Sequence, residues 1–145
     1  MGNYDRQWFA KCLGYSGTIP FIVLALMNHL KPGSWVLLAF IAYSAAILSF
    51  LGGVNWGVVV NNPKQAGDTK ILIFSIMPSI IAWVALIVPR NSSVLLTLLM
   101  AFILQYFFDR SIKRKHYLPT WYIEMRAKLT FIVSSSILFM LFSRF

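Results

Sequence analysis

The sequence predicts an all-α integral membrane protein: a bundle of five transmembrane helices with its N-terminus in the cytoplasm and its C-terminus outside. Three observations support this fold class. Of the 145 residues, 59% are apolar and only 12% are charged, whereas about 25% of the residues of a soluble domain are charged. Five long apolar stretches follow one another along the chain. The basic residues collect in the loops of one side, as is typical of membrane proteins.

The five stretches predict five helices in a single domain, residues 1–145. A membrane-spanning helix needs about 20 mainly apolar residues. The predicted helices cover about residues 12–30, 35–60, 71–88, 92–108 and 119–145. Because the stretches are continuously apolar and do not alternate with polar residues, helices are favoured over a β-barrel.

Turn residues set the ends of these helices. The first helix ends before Lys-Pro-Gly-Ser at 31–34, and the second ends before Asn-Asn-Pro at 61–63. Pro89 ends the third helix, and the fourth begins at Ser92, next to Asn91. The fifth is predicted to begin near Pro119, because proline is tolerated in the first turn of a helix.

The distribution of basic residues predicts the orientation. With five spans, the N-terminus lies on the same side as the second and fourth loops. That side carries ten of the 13 basic residues: Arg6, Lys11, Lys64, Lys70, Arg110, Lys113, Arg114, Lys115, Arg126 and Lys128. The other side carries Lys31, Arg90 and Arg144. The positive-inside rule therefore places the N-terminus in the cytoplasm. There the basic run at 110–115 would contact the anionic lipids of the bilayer, and we expect no nucleic-acid partner.

The second helix contains a small-residue ladder, defined as Ala45, Ser49, Gly53 and Gly57, with one residue every four positions. Small residues allow helices to approach closely in lipid, so the ladder predicts a packing surface between helices. Asn55 lies beside it and is expected to face the bundle interior. There its amide would either make a hydrogen bond between helices or hold a small ligand.

Asp109 is the one carboxylate that adjoins the apolar core in the sequence, and Gln105 lies four residues earlier on the same helical face. We expect Asp109 to form an ion pair with Arg126 or Lys128 at the start of the last helix. A proton-carrying role is the alternative.

Polar and aromatic residues inside otherwise apolar helices predict a ligand pocket. The candidate lining residues are Tyr43, Ser49, Asn55, Trp56, Trp83, Gln105 and Tyr106.

The sequence contains no motif that indicates catalysis, a metal or a cofactor. It has no catalytic-triad set, no zinc-protease motif, no phosphate-binding loop and no dinucleotide fingerprint. One cysteine, Cys12, cannot form an internal disulfide. The predicted topology places His29 and His116 on opposite sides of the membrane. We therefore expect no enzymatic activity, no bound metal and no cofactor.

Four segments resemble one family. They are YSAAILSFLGGVNWG (43–57), MPSIIAWVALIVP (77–89), LQYFFD (104–109) and LPTWYIEMRAKLT (118–130). Together they are similar to an uncharacterised bacterial inner-membrane domain family related to mitochondrial transmembrane protein 69. The resemblance implies a multi-spanning protein of the bacterial inner membrane or, alternatively, of the mitochondrial inner membrane. The family commonly has histidine where this sequence has Asn55, so a role that needs an imidazole is not expected here.

These observations favour a non-enzymatic role. We expect the protein to bind a hydrophobic or lipid-like ligand, or to support assembly of a membrane complex through a membrane-protein partner or a second copy of itself. A small transporter or channel is the alternative, and an enzyme that acts on lipids comes third.

Overall fold

Six α-helices make up the described part of the chain. The structure, a computed structural model, describes residues 3–61, 68–89, 91–113 and 118–143. The helices are α1 Asn3–Ser16, α2 Ile19–Leu30, α3 Ser34–Val60, α4 Asp68–Ile87, α5 Ser92–Lys113 and α6 Thr120–Phe142. The predicted turn at Asn62 and Pro63, His116 and several loop cations (Lys64, Arg90, Arg114, Lys115, Arg144) lie outside the described residues.

Five helical segments within these ranges are long and apolar enough to cross a membrane. They are Tyr4–Leu30, Ser34–Val60, Thr69–Ile87, Ser92–Ile112 and Thr120–Phe142. The predicted all-α membrane fold with five spans is therefore confirmed. The side of the membrane on which the N-terminus lies stays a prediction.

The first span differs from the single helix expected over 12–30. The helical segment that contains it begins at Asn3 and divides into α1 and α2. Pro20 lies in the first turn of α2 and has no N–H to donate to the carbonyl of Ser16, so a continuous helix would lose a hydrogen bond there. The Thr18 hydroxyl instead donates to the Tyr15 carbonyl at 2.7 Å. The Gly17 carbonyl accepts a hydrogen bond from the Tyr43 hydroxyl at 2.8 Å. This junction is thereby anchored to α3.

Phenylalanine side chains from three helices meet in the bundle core. Phe21 of α2 packs edge-to-face on Phe40 of α3 and on Phe102 of α5, with ring centroids 5.5 Å and 5.8 Å apart. Such pairs stabilise by about 0.5–1.5 kcal/mol beyond their area burial. Val133 and Ile137 of α6 complete the same core. α3 packs chiefly against α4 and α6 against α5, while α2 contacts both α3 and α6.

α3 approaches α4 closely at Gly52. A Cβ atom at this position would lie closer than 3.0 Å to the backbone carbonyl oxygen of Ser75, so only glycine lets the helices come this near. The neighbouring small-residue ladder lies elsewhere on α3. Ala45 is buried, but a Cβ at Gly53 or Gly57 would meet no atom within 4 Å. The packing of α3 within this chain therefore uses Gly52 and not Gly53 or Gly57, because only the helical face with Gly52 is turned toward α4.

Candidate functional site

A buried polar cluster joins α3, α5 and α6, and we define it as Asn55, Gln105, Asp109 and Arg126. Asp109 is at its centre. Its Oδ1 accepts hydrogen bonds from Asn55 Nδ2 at 2.9 Å and from Gln105 Nε2 at 3.0 Å. Its Oδ2 accepts one from Arg126 Nε at 2.9 Å, which is also an ion pair. The structure thus brings together the acid and the arginine that the sequence suggested as partners.

The surroundings of Asp109 explain how a charged pair can lie inside an apolar bundle. Asn55 and Asp109 are 0% and 1% exposed, and Gln105 and Arg126 are each 4% exposed. A buried carboxylate is tolerated only when its oxygens have close donors and an opposite charge nearby. Three donors on three helices supply both requirements. The cluster therefore ties the ends of α3 and α5 to the beginning of α6.

Several polar atoms at this level have no hydrogen-bond partner in the part of the chain that the structure describes. They are Asn55 Oδ1, Arg126 Nη2, Thr130 Oγ1 and Ser134 Oγ. Arg126, Thr130 and Ser134 follow one another at four-residue intervals, so they form a polar stripe on one face of α6. Unpaired buried polar groups are rare in native proteins. Each of these four atoms has almost no accessible surface, so it is enclosed by packed protein atoms.

A cavity of about 360 Å³ lies beside the stripe. It is lined by residues of α1, α2, α3, α5 and α6 and by the junction of α1 and α2. The lining residues are Ala10, Leu13, Gly14, Gly17, Thr18, Phe21, Ile47, Phe50, Leu51, Val54, Phe102, Trp121, Tyr122, Met125, Arg126, Leu129, Thr130 and Val133. Most of them are apolar. Arg126 is the charged residue in the wall and also belongs to the polar cluster.

The positions along α6 of the residues in the cavity wall indicate how far the cavity reaches into the membrane. Trp121 and Tyr122 lie in the first turn of α6, and such side chains favour the membrane–water interface. At 1.5 Å per residue, Arg126 lies about 9 Å along the helix and Val133 about 20 Å along it. The hydrocarbon core of a bilayer is about 30 Å thick. The cavity therefore extends from near one membrane surface to the bilayer interior, and Arg126 lies between its two ends.

The seven residues suggested as a ligand pocket do not form one surface. Asn55 and Gln105 are in the polar cluster, and Tyr43 anchors the junction of α1 and α2. Ser49 and Tyr106 are half-buried, and the side chains of Trp56 and Trp83 are exposed on the outside of the bundle, where lipid would be. None of the seven lines the cavity. The reason is geometric: they lie on different faces of α3, α4 and α5.

Thr130, Trp121, Gly14 and Gly17 were not predicted to be parts of a site. One signal was present, because Arg126 and Thr130 are polar residues four apart within a span. Gly14 and Gly17 gave no such signal. Within the described ranges no group of three or more His, Cys, Asp or Glu side chains could hold a metal ion.

Comparisons with known proteins extend these observations. A family model described as "Protein of unknown function (DUF3429)" matches residues 7–142. The chain is 34% identical over 132 residues to transmembrane protein 69 of Xenopus tropicalis, an alignment that covers 86% of this chain and 50% of that protein. It is 30% identical over 121 residues to transmembrane protein 69 of Mus musculus, covering 81% and 49% respectively. The chain thus spans about half the length of these curated relatives. No solved structure shows a significant match.

Proposed function

The chain belongs to the family of proteins of unknown function DUF3429, and from that premise we propose that it is a non-enzymatic membrane protein that binds a hydrophobic, lipid-like ligand. We place the binding site of this ligand in the cavity described above. The supporting observation is its volume of about 360 Å³ behind a mainly apolar wall, which falls in the range of about 300–1,000 Å³ typical of small-molecule sites. A mainly apolar wall suits a ligand that is itself mainly apolar.

The shape of the cavity favours an elongated ligand that lies parallel to the helices. The α6 residues that line it run from Trp121 to Val133, a rise of about 18 Å. Phe21 and Phe102 form part of the inner wall. An acyl chain fits these surroundings, because its methylene groups would contact aliphatic and aromatic side chains along its length.

Fluorescence quenching of Trp121 tests the proposal. Trp121 lines the cavity, whereas the other four tryptophans, Trp8, Trp35, Trp56 and Trp83, are 44% to 62% exposed and do not line it. Replacing those four with phenylalanine should leave the fold intact and make Trp121 the sole reporter. Bromine quenches tryptophan on contact, so titration with methyl dibromostearate in detergent micelles is expected to quench Trp121 saturably.

Two further variants separate binding in the cavity from partition into the micelle. Ala10→Phe places a large side chain in the cavity wall and is expected to abolish saturable quenching. Ala42→Phe is the matched control, because Ala42 is exposed on α3 and does not line the cavity, so quenching should stay unchanged. Quenching that rises linearly with probe and is the same in all three proteins would contradict the proposal.

The transporter alternative would need a polar path between the two membrane faces. The polar cluster lies toward one face, and the hydrogen bond from Asn28 Nδ2 to Ser143 Oγ, 3.0 Å long, lies toward the other. Between them the described residues form an apolar core that includes Phe21, Phe40 and Phe102. This arrangement favours ligand binding over transport through a single chain.

An assembly role would use a different surface. Gly53 and Gly57 of the small-residue ladder lie on the outside of α3 beside the exposed Trp56. A helix of a membrane-protein partner or of a second copy could approach there. Native mass spectrometry of protein extracted in mild detergent would report such a partner, a homo-oligomer and a bound ligand in one measurement.

For location, we propose the bacterial inner membrane, with the mitochondrial inner membrane as the alternative and with the N-terminus in the cytoplasm. The excess of basic residues on one side supports the orientation. Alkaline phosphatase fused after Phe145 is expected to be active, because this enzyme matures only outside the cytoplasm. An inactive reporter on a stably expressed fusion would contradict the topology.

A further inference from the structure

The residues that line the cavity differ sharply in their exposure. Two of them are exposed: Leu13 of α1 at 71% and Phe50 of α3 at 65%. The other lining residues are buried or half-buried. Among these, Phe21 of α2, Phe102 of α5 and Val133 of α6 are buried in the core of the bundle. The cavity therefore runs from the core to the outer surface of the bundle, which it reaches beside Leu13 and Phe50.

The packing of the helices explains why the cavity is open between α1 and α3. α1 packs chiefly on α6, and α3 packs chiefly on α4. At Gly14 of α1, a Cβ atom would lie 3.0 Å from Met125 Sδ and 3.4 Å from Leu129 Cδ1, both on α6. The hydrogen bond from Tyr43 to the Gly17 carbonyl joins the end of α1 to α3. Because α1 and α3 are otherwise held by different helices, a gap remains between them beside Leu13.

The depth of Leu13 shows that this gap faces hydrocarbon and not water. α1 and α3 belong to helical segments that are long and apolar enough to cross a membrane. Leu13 precedes Gly14, which is level with Met125 and Leu129. These two residues lie about 6 Å and 12 Å along α6 from Trp121, whose side chain favours the membrane–water interface. A ligand that passes between α1 and α3 therefore comes from the bilayer.

A cavity that is open along its side accepts a different class of ligand from a closed one. A closed cavity admits only a molecule that it can contain completely. A laterally open cavity can hold one acyl chain while the remainder of the lipid stays in the bilayer. Its α6 wall, from Trp121 to Val133, is about 18 Å long, close to the 15 Å or so of hydrocarbon in one leaflet. This length suits an acyl chain of that leaflet.

We propose that the cavity is a lateral groove for an intact diacyl membrane lipid. One acyl chain passes between Leu13 and Phe50 and lies along α6, and the second chain and the headgroup remain in the bilayer. The chain supplies the dispersion contacts that an empty apolar cavity lacks. This inference rests on the proposed function, because it names the class of lipid that occupies the same cavity and its route of entry.

Photocrosslinking in phosphatidylcholine vesicles tests the groove. Two probes carry a diazirine at the same position of an acyl chain: a phosphatidylcholine with two chains and a fatty acid methyl ester with one. Irradiation attaches the probe to neighbouring side chains, and mass spectrometry of peptides locates the adducts. Phe21 and Phe102 are each 1% exposed, so lipid outside the bundle cannot reach them. Both probes are expected to give adducts on these two residues.

A matched pair of variants tests the route of entry. Leu13→Trp places a large side chain in the gap, so adducts of the phosphatidylcholine probe on Phe102 should fall severalfold relative to adducts on Phe131, which is exposed on the outside of α6. Leu26→Trp is the control, because Leu26 is exposed on α2 and does not line the cavity. Its ratio of adducts should equal that of the parent protein.

The outcomes separate this inference from the proposed function. If the ester labels Phe21 or Phe102 but the phosphatidylcholine labels neither, the groove for a diacyl lipid is overturned and the cavity still binds a single-chain ligand. If Leu13→Trp and the parent protein give the same ratio of adducts, entry between α1 and α3 is overturned. If neither probe labels Phe21 or Phe102 in the parent protein, both the inference and the proposed function fail.

Discussion

Replacing Gly52 with alanine is expected to destabilise the bundle, whereas the same replacement at the adjacent Gly53 is expected to stabilise it. Both glycines lie inside α3, so the change in helix propensity is the same at the two sites. Their surroundings differ. A Cβ at Gly52 would lie closer than 3.0 Å to the Ser75 carbonyl oxygen, and a Cβ at Gly53 would meet nothing within 4 Å.

The expected size follows from two opposing terms. Alanine is favoured over glycine inside a helix by about 1 kcal/mol, and this gain applies in full at Gly53. At Gly52 the new methyl group meets backbone, which cannot rotate away as a flexible side chain could. Overpacking a well-packed core typically costs about 1–3 kcal/mol. We take the upper value, about 3 kcal/mol, for the cost of forcing α3 and α4 apart. Gly52→Ala should therefore lower the free energy of unfolding by about 2 kcal/mol.

The free energy of unfolding can be measured by titrating sodium dodecyl sulfate into mixed micelles and following helicity by circular dichroism. The two variants should differ by about 3 kcal/mol, with the parent protein between them. Equal stability of Gly52→Ala and Gly53→Ala would contradict this prediction, because it would mean that α3 and α4 do not approach each other closely at Gly52.

Three further predictions use the same measurement. Asp109→Leu and Arg126→Met should each lower the free energy of unfolding by about 3–5 kcal/mol, since each leaves a buried charge unpaired. The double variant leaves no charge unpaired, so it should cost at least about 3 kcal/mol less than their sum; strict additivity would argue against the ion pair. Tyr43→Phe removes the hydrogen bond to the Gly17 carbonyl, so the free energy of unfolding should fall by about 0.5–1.5 kcal/mol. Amide hydrogen exchange should also become faster around the junction of α1 and α2, and unchanged exchange there would contradict the anchoring role of Tyr43. Asn28→Ala removes the hydrogen bond from Asn28 to Ser143, so the free energy of unfolding should fall by about 1 kcal/mol. A change near zero would show that this hydrogen bond does not stabilise the bundle.

The fold could be predicted from the sequence to the level of five spans, because a span is defined by length and apolarity, which are properties of contiguous residues. The junction at Gly17 was not predicted. Pro20 gave a local signal there, but α1 continues the helical segment outward to Asn3 through residues that include Asp5, Arg6 and Lys11. Hydropathy alone therefore assigned those residues to the region outside the membrane.

Parts of the candidate site could also be predicted. Asp109 and Arg126 were suggested as partners because a carboxylate beside an apolar helix needs a cation, and Arg126 lies close in the sequence. Asn55 was expected to face the interior, but its bond to Asp109 joins residues 54 positions apart. No sequence spacing encodes that contact.

The order of residues is enough to predict how many segments are long and apolar enough to cross a membrane, that these segments are helices, and which polar residues cannot face lipid. Each of these follows from the cost of placing polar groups in hydrocarbon, which acts on every residue separately. The packing of the helices determines which face of α3 contacts α4, which donors surround Asp109, and where a cavity remains. These depend on the rotation and approach of whole helices. A single methyl group at Gly52 would change that approach, whereas at Gly53 it would not.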